Sequence, residues 1–234
     1  MIRRIHTHNL HSGEVALTPE QTHHLRKVLR LADGEQVEVF DDAGRVAAGV
    51  LRYKGTTEVA IDVAEVTKPV AKSFSLTIAS AIPKGERADW MIEKLSELGV
   101  DMFVPLGAAR SVVLPEGRNK HDRWMRIATE SAKQSRRVGT MQIGRLTPVD
   151  TAIQQLDGAG WVCSTTGNPA SPNLLQRRPA ALTVFIGPEG GWTDQELAAF
   201  ADAGVTFVGL TQTVLRVETA AVAAAAVLLI NRPA

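Results

Sequence analysis

One short succession does most to constrain how this 234-residue chain can fold. Leu182-Thr183-Val184-Phe185-Ile186 leads into Gly187-Pro188-Glu189-Gly190-Gly191, and Trp192-Thr193-Asp194-Gln195-Glu196 follows. The first run is almost wholly apolar, the pattern of a strand buried on both faces of a parallel sheet. Thr193 and Glu196 stand at capping-box spacing, so a helix is predicted to start there. A strand that ends in a glycine-rich turn opening a helix is where open α/β sheets hold ligands. Glycine supplies positive φ in such a turn and lets backbone approach a ligand closely.

The flanking sequence extends this pattern. From Phe74 onward, strands predicted at 76–81, 103–106, 161–164, 182–186 and 206–210 alternate with helices at 87–98, 122–137, 195–203 and 220–230. Gly99 is placed to cap the first of these helices. The second buries Trp124, Ile127, Ala128 and Ser131 on one face. Such alternation predicts a largely parallel sheet covered on both sides. Residues 158–160 and 166–172 read as loops. The first seventy residues differ. Thr18-Pro19-Glu20-Gln21 is a strong helix start, and a short helix over 23–31 turns Leu25, Val28 and Leu29 inward. Three short alternating strands follow at 36–40, 45–51 and 58–63, separated by glycine turns, and predict a small β-barrel. The division is therefore residues 1–68 and 73–234, with a linker around Pro69.

Net charge is only +1, but its distribution is uneven. Between Arg110 and Arg137 there are eight Lys/Arg against three Asp/Glu. Arg3, Arg4, Lys27 and Arg30, with Arg26 beside them, form a second basic group. Local basic patches on a near-neutral chain point to a polyanionic partner, and 5% aromatic content argues against extensive base stacking. No apolar run reaches the roughly 18–20 residues that span a bilayer, and the N-terminus lacks an apolar signal core. No membrane association is predicted, and a cytoplasmic setting fits. A lone cysteine, Cys163, cannot make an internal disulfide and reads as a buried, inert thiol. His6, His8, His11, His23 and His24 lack cysteine neighbours or a helix-spaced carboxylate, so no metal site is predicted.

Familiar nucleotide templates are absent: there is no Gly-Lys-Ser/Thr phosphate loop, no G-x-G-x-x-G after a predicted strand, and no G-x-S-x-G elbow. Ile186–Gly191 is instead followed by Leu210-Thr211-Gln212-Thr213-Val214-Leu215-Arg216-Val217-Glu218-Thr219-Ala220. Together they resemble the two C-terminal motifs of the SPOUT, or trefoil-knot, RNA methyltransferases. Within that superfamily the chain is similar to the RsmE family. Pro83-Lys84-Gly85-Glu86-Arg87 through Glu97-Leu98-Gly99-Val100 resembles that family's first helix, and Glu130–Arg137 its Glu/Gln/Arg-bearing helix. His24–Arg30 and the barrel around it resemble its PUA-like RNA-binding domain. Val217 departs from the family's usual threonine.

The resemblance implies a fold and an activity. An α/β domain would close in a deep C-terminal trefoil knot over about residues 185–230, an exception to the usual rule against threading. The implied reaction is S-adenosylmethionine-dependent methylation of N3 of a uridine in small-subunit (16S) ribosomal RNA. A homodimer is implied, acting on RNA within the assembled small subunit. Cofactor positions carried over are Ile186, Gly187, Gly191, Leu210, Val214, Leu215 and Ala220, with Ser164 and Thr165 beside them. Arg216 and Arg136 are the arginines suited to stabilise charge on the uracil oxygens. Glu189 or Glu218 would take the proton or orient an arginine, or Glu218 would simply pair with Arg216. Arg3, Arg4, Lys27, Arg30, Arg118, Lys120, Arg123 and Arg137 are the RNA-backbone candidates. The alternatives are a non-catalytic knot protein that binds RNA or assists ribosome assembly, and a knot methyltransferase acting on another RNA.

Overall fold

Thr18 and Thr193 each start a helix in the computed structural model, which describes residues 2–55, 58–68, 73–114, 118–169 and 179–230. Each hydroxyl accepts from the backbone N–H three residues on, at 3.2 Å in both cases. Gln21 and Glu196 return the bond to the cap backbone, completing two capping boxes.

Packing divides the chain into Met1–Ala71 with Ala132–Thr140, and Lys72–Ser131 with Met141–Ala234. The division read from sequence misses one stretch, residues 132–140, which folds with the N-terminal unit. Residues 69–72 of the predicted linker lie outside the described residues.

In the first unit, β1 (Arg3–His6), β2 (Gly13–Ala16), β3 (Gln36–Phe40), β4 (Val46–Lys54) and β5 (Glu58–Val63) form one sheet. Its order is β1-β3-β4-β5-β2, with β1 parallel to β3 and the other pairs antiparallel. Period-2 alternation places Val37, Val39, Leu51, Ile61 and Val63 in one core with Ile5, Leu10 and Val15. β1 and β2 carry four residues each, too few for periodicity to announce them. The predicted helix over 23–31 is instead α1 (Pro19–His23) followed by one wide π-type turn, His24–Val28, in which Leu29 N–H reaches His24 C=O at 3.0 Å. The wider turn keeps Leu25 buried but swings Val28 out to 62% exposure.

The second unit is a parallel sheet. Its strands are β6 (Ser75–Ser80), β7 (Met102–Gly107), β8 (Gln142–Ile143), β9 (Thr147–Pro148), β10 (Ala159–Pro169), β11 (Ala181–Ile186) and β12 (Thr206–Gly209). The order is β12-β10-β11-β6-β7-β8, with β9 also paired to β7. The helices are α2 (Arg87–Leu98), α3 (Arg118–Ser135, whose residues from Ala132 count with the first unit), α4 (Val149–Gln154), α5 (Asp194–Asp202) and α6 (Val217–Leu229). Alternate residues of β11 serve opposite faces. Leu182, Val184 and Ile186 join Met91 and Ile92 of α2, Trp124 and Ala128 of α3, and Ala221 and Ala225 of α6. Phe185 turns the other way, onto Phe200 of α5 and Val149 of α4. Burial on both faces is why β11 reads as an unbroken apolar run. Gly99 caps α2 at φ 98°.

Residues 159–160 and 166–169 read as loop but belong to β10. Both Cys163 and Asn168 register with Val208 of β12, so Ser164–Gly167 bulges out of the ladder between them.

Candidate active site

The carboxyl ends of β10, β11 and β12 open onto one cleft of about 440 Å³. Its walls are the β10 bulge, the Gly187–Gly191 turn after β11, and residues 210–215 after β12, with Val217 and Ala220 of α6 behind. A cleft outside the carboxyl ends of parallel strands is the position where open α/β sheets take ligands.

The glycine turn is fixed by three separate contacts. Gly191 N–H bonds Pro188 C=O at 2.8 Å, and Gly191 itself has φ 70°. A Cβ on Gly187 would lie 2.9 Å from the Trp192 ring, and one on Gly190 would lie 3.1 Å from Arg110 Cβ. Gly187 is thus called for by the Trp192 ring packed behind the wall, Gly190 sits in tight contact with Arg110, and Gly191 is favoured by backbone conformation. Trp192 is buried against Phe200, edge to face, and its indole N–H donates to Cys163 C=O at 3.0 Å. Arg110 Nη1 donates to Gly190 C=O at 2.9 Å and to Trp192 C=O at 3.2 Å. The buried Glu196 carboxylate accepts from Thr193 and, at 2.9 Å, from Ala109 N–H next to Arg110. Sequence reading counts Arg110 only as part of a basic patch and misses Trp192, because both act through partners far away in the chain. Burial pushes the Cys163 thiol up to about 12, so it is held protonated in the cleft floor.

Ser164, Thr165, Ile186, Gly187, Gly191, Leu210, Val214, Leu215 and Ala220 all line this cleft, as does Glu189, whose side chain is exposed to it. Arg216 is the exposed N-cap of α6, next in the chain to the lining residue Leu215. Glu218 is 6% exposed and its Oε1 lies 3.5 Å from Arg87 Nη1 at the start of α2. A pairing of Glu218 with Arg216 is therefore replaced by one with Arg87, since α6 packs on α2. Glu218 Oε2 is buried with no hydrogen-bond partner among the described residues. Arg136 lies just beyond α3, exposed, in the 132–140 stretch of the first unit.

Among the RNA-backbone candidates, Arg3, Lys27 and Arg30 are exposed. Arg123 is exposed and paired with Asp89 at 2.6 Å, and Lys120 sits 5.3 Å above the Trp124 ring. Arg137 is half-buried, and the side chain of Arg118 lies outside the described residues. Arg4 is a correction. Its side chain is 5% exposed, ion-paired to Glu38, stacked 4.4 Å over Phe40, and bonded through Nη1 to Arg137 C=O at 3.0 Å. A guanidinium so occupied has no face left for a phosphate.

Tertiary structure also supplies the carboxylate that sequence spacing does not offer the histidines. Asp42 Oδ1 lies 2.8 Å from His6 Nε2, and its Oδ2 lies 2.7 Å from His8 Nδ1. These are direct hydrogen-bond distances, shorter than the roughly 3.3 Å between two donors on one tetrahedral metal. Burial lowers the His6 pKa despite Asp42. Burial opposes ionisation of Asp42, but hydrogen bonds from Thr140, His8 and His6 prevail and lower its pKa. Both shifts favour the folded chain at neutral pH. The His6 contribution is lost as pH falls from 6.5 through its lowered value, and that of Asp42 as pH falls from 3.8 through its own.

A parallel sheet with a backbone-walled cleft at its carboxyl edge, joined in sequence to a strand-rich unit, is the layout of a ligand-binding α/β enzyme with an accessory domain. Residues 70–229 match the family model of an RNA methyltransferase domain, and residues 17–62 that of an RNA methyltransferase PUA domain. The chain is 34% identical over 218 residues to ribosomal RNA small subunit methyltransferase E of Synechocystis sp., covering 88% of this chain and 69% of that one. It is 31% identical to the Bacillus subtilis protein of the same name, covering 88% and 85%. The crystal structure of ribosomal RNA small subunit methyltransferase E from Neisseria gonorrhoeae bound to S-adenosyl methionine superposes with a TM-score of 0.85 at 26% identity, over 97% of this chain and 96% of that one. The chain belongs to the RNA methyltransferases, and among them to the ribosomal RNA small subunit methyltransferase E family. Among the described residues, no helix is long and apolar enough to cross a membrane.

Proposed function

We propose that this chain uses S-adenosylmethionine to methylate N3 of a uridine in small-subunit (16S) ribosomal RNA, giving 3-methyluridine. We further read it as a cytoplasmic homodimer whose α6 threads a trefoil knot over about residues 185–230 and whose substrate is the assembled small subunit. While the uridine assignment rests on the family resemblance, the observation that carries the cofactor part of this reading is the cleft, in which all nine positions expected to meet the cofactor stand together. Its volume falls in the range of small-molecule sites, about 300–1,000 Å³. Its lining suits a large, mixed-polarity ligand. Polar Ser164, Thr165, Glu189, Thr211 and Gln212 line the cleft together with apolar Leu197, Leu210, Leu215 and Ala220. The bound cofactor supplies an electrophilic methyl group on a sulfonium sulfur.

The remaining chemistry falls to this chain's residues. Uracil N3 carries a proton that must leave as the N–CH₃ bond forms and the S–CH₃ bond breaks. Glu189, exposed in the cleft wall, is the carboxylate placed to accept that proton or to orient an arginine. Arg216, exposed at the head of α6, supplies positive charge to the uracil oxygens as they become anionic. Glu218, buried and paired with Arg87, holds the start of α6 against α2 and so fixes Arg216 rather than meeting the base. Arg136, carried on the first unit, is read as an RNA contact, argued below.

The test is methylation of purified small subunits lacking the modification, followed by nucleoside mass spectrometry. The expected product is 3-methyluridine; another methylated nucleoside overturns the substrate assignment. Arg216→Ala is expected to lower turnover about 100-fold or more while calorimetry shows unchanged cofactor affinity. Wild-type turnover in that variant removes Arg216 from the chemistry.

A further inference from the structure

We propose that Arg4 and Asp42 are positioning residues that clamp residues 132–140 onto the N-terminal sheet so that Arg136 meets the RNA backbone. This rests on the reading of RNA as substrate. The starting observation is conformational. Arg136 follows the last residue of α3 with φ 56°, the left-handed region that favours glycine. A non-glycine residue persists there only where its surroundings over-determine it, and such outliers gather at functional positions.

The surroundings are explicit. On the helix side, Arg4 Nη1 donates to Arg137 C=O at 3.0 Å, just past the helix, and to Ala132 C=O at 3.4 Å, a carbonyl in the last turn that a helix end leaves open. Glu38 and Phe40 hold that guanidinium in place. On the far side, Thr140 Oγ1 donates to Asp42 Oδ1 at 2.7 Å, and His6 and His8 steady the same carboxylate. Gly139, at φ 79°, lies so close that a Cβ would come within 3.2 Å of Asp42 C=O. Both ends of the stretch are thus fixed to β1 and to the turn between β3 and β4. Between them Arg136 is exposed, and its side chain makes no hydrogen bond or ion pair among the described residues. Residues 132–140 carry Lys133, Arg136 and Arg137 and no acid. An exposed guanidinium with no partner among the described residues, carried on backbone held at both ends in an acid-free stretch, is suited to a phosphate oxygen.

Arg136→Gly separates this role from a structural one, because it relieves the left-handed conformation while removing the cation. The expected outcome is an unchanged or raised melting temperature. Binding to transcribed small-subunit ribosomal RNA should be weaker, with a log–log salt slope smaller by about 0.7–0.9, one phosphate contact. KM for RNA should rise while kcat at saturating RNA stays near wild type, and Arg136→Lys should restore most of the affinity. Thr140→Val should weaken RNA binding in the wild-type chain and have no further effect in Arg136→Gly. Unchanged affinity and slope in Arg136→Gly overturn the proposal. So does a fall in kcat with affinity intact, or an effect of Thr140→Val that is equally large in both backgrounds. A wild-type chain without affinity for the RNA overturns the substrate reading instead.

Discussion

The two loops that wall the cleft are built on different terms. After β11, the Gly187–Trp192 turn is held by its own hydrogen bond, by the buried Trp192, by two bonds from Arg110, and by the Glu196 cap behind it. After β12, Thr211, Gln212, Thr213 and Val214 are all exposed, with Val214 at 82%, and a Thr211-to-Thr213 hydrogen bond of 2.7 Å spans the loop. The first wall is held by side chains from elsewhere in the chain, whereas the second presents four exposed residues around a hydrogen bond within the loop. For the cofactor and RNA proposed above, such a pairing would serve both: one face pre-organised, so that little ordering is needed on binding, and one more exposed.

This contrast can be broken experimentally. Trp192→Ala should have the largest effect, costing about 3–5 kcal/mol as a buried aromatic is lost and abolishing cofactor binding at micromolar concentration. Chemical denaturation and calorimetry measure both. The same variant should speed alkylation of Cys163, whose thiol burial holds protonated in the intact chain. Glu196→Ala should come next, at about 1–3 kcal/mol, since it leaves the Ala109 and Thr193 donors without their acceptor. Arg110→Ala should cost about 1 kcal/mol in stability while raising KM for the cofactor. Val214→Ala should leave stability within about 0.5 kcal/mol and change cofactor affinity only severalfold. If Val214→Ala shifted the melting temperature as far as Arg110→Ala does, the two walls would not differ as described.

Much of the layout was legible because its signals are local. The two capping boxes, the Gly99 cap and the unbroken apolar run of β11 each depend on residues within one turn or one strand, and each lies where the sequence predicts it. β1 and β2 were not legible, being too short for periodicity, nor was the π-type turn that exposes Val28. The cleft positions were accessible through the two C-terminal motifs, which lie close to each other in sequence. Roles that depend on distant partners escaped: Arg4 bonds a carbonyl 133 residues away, and Glu218 faces Arg87 across 131 residues.

The sequence by itself determined the alternation of strands and helices, the helix starts and stops, and the motif-bearing loops, because backbone sterics and hydrophobic periodicity act over a few residues. The tertiary structure alone decided what each polar group in those loops is for. It assigned Gly187 to Trp192 and Gly190 to Arg110, removed Arg4 from the surface, gave Glu218 to Arg87, and folded residues 132–140 onto the N-terminal sheet. A charged or glycine residue takes its role from whatever lies within a few ångströms, and in a chain with this many long-range pairings those neighbours come from elsewhere in the sequence.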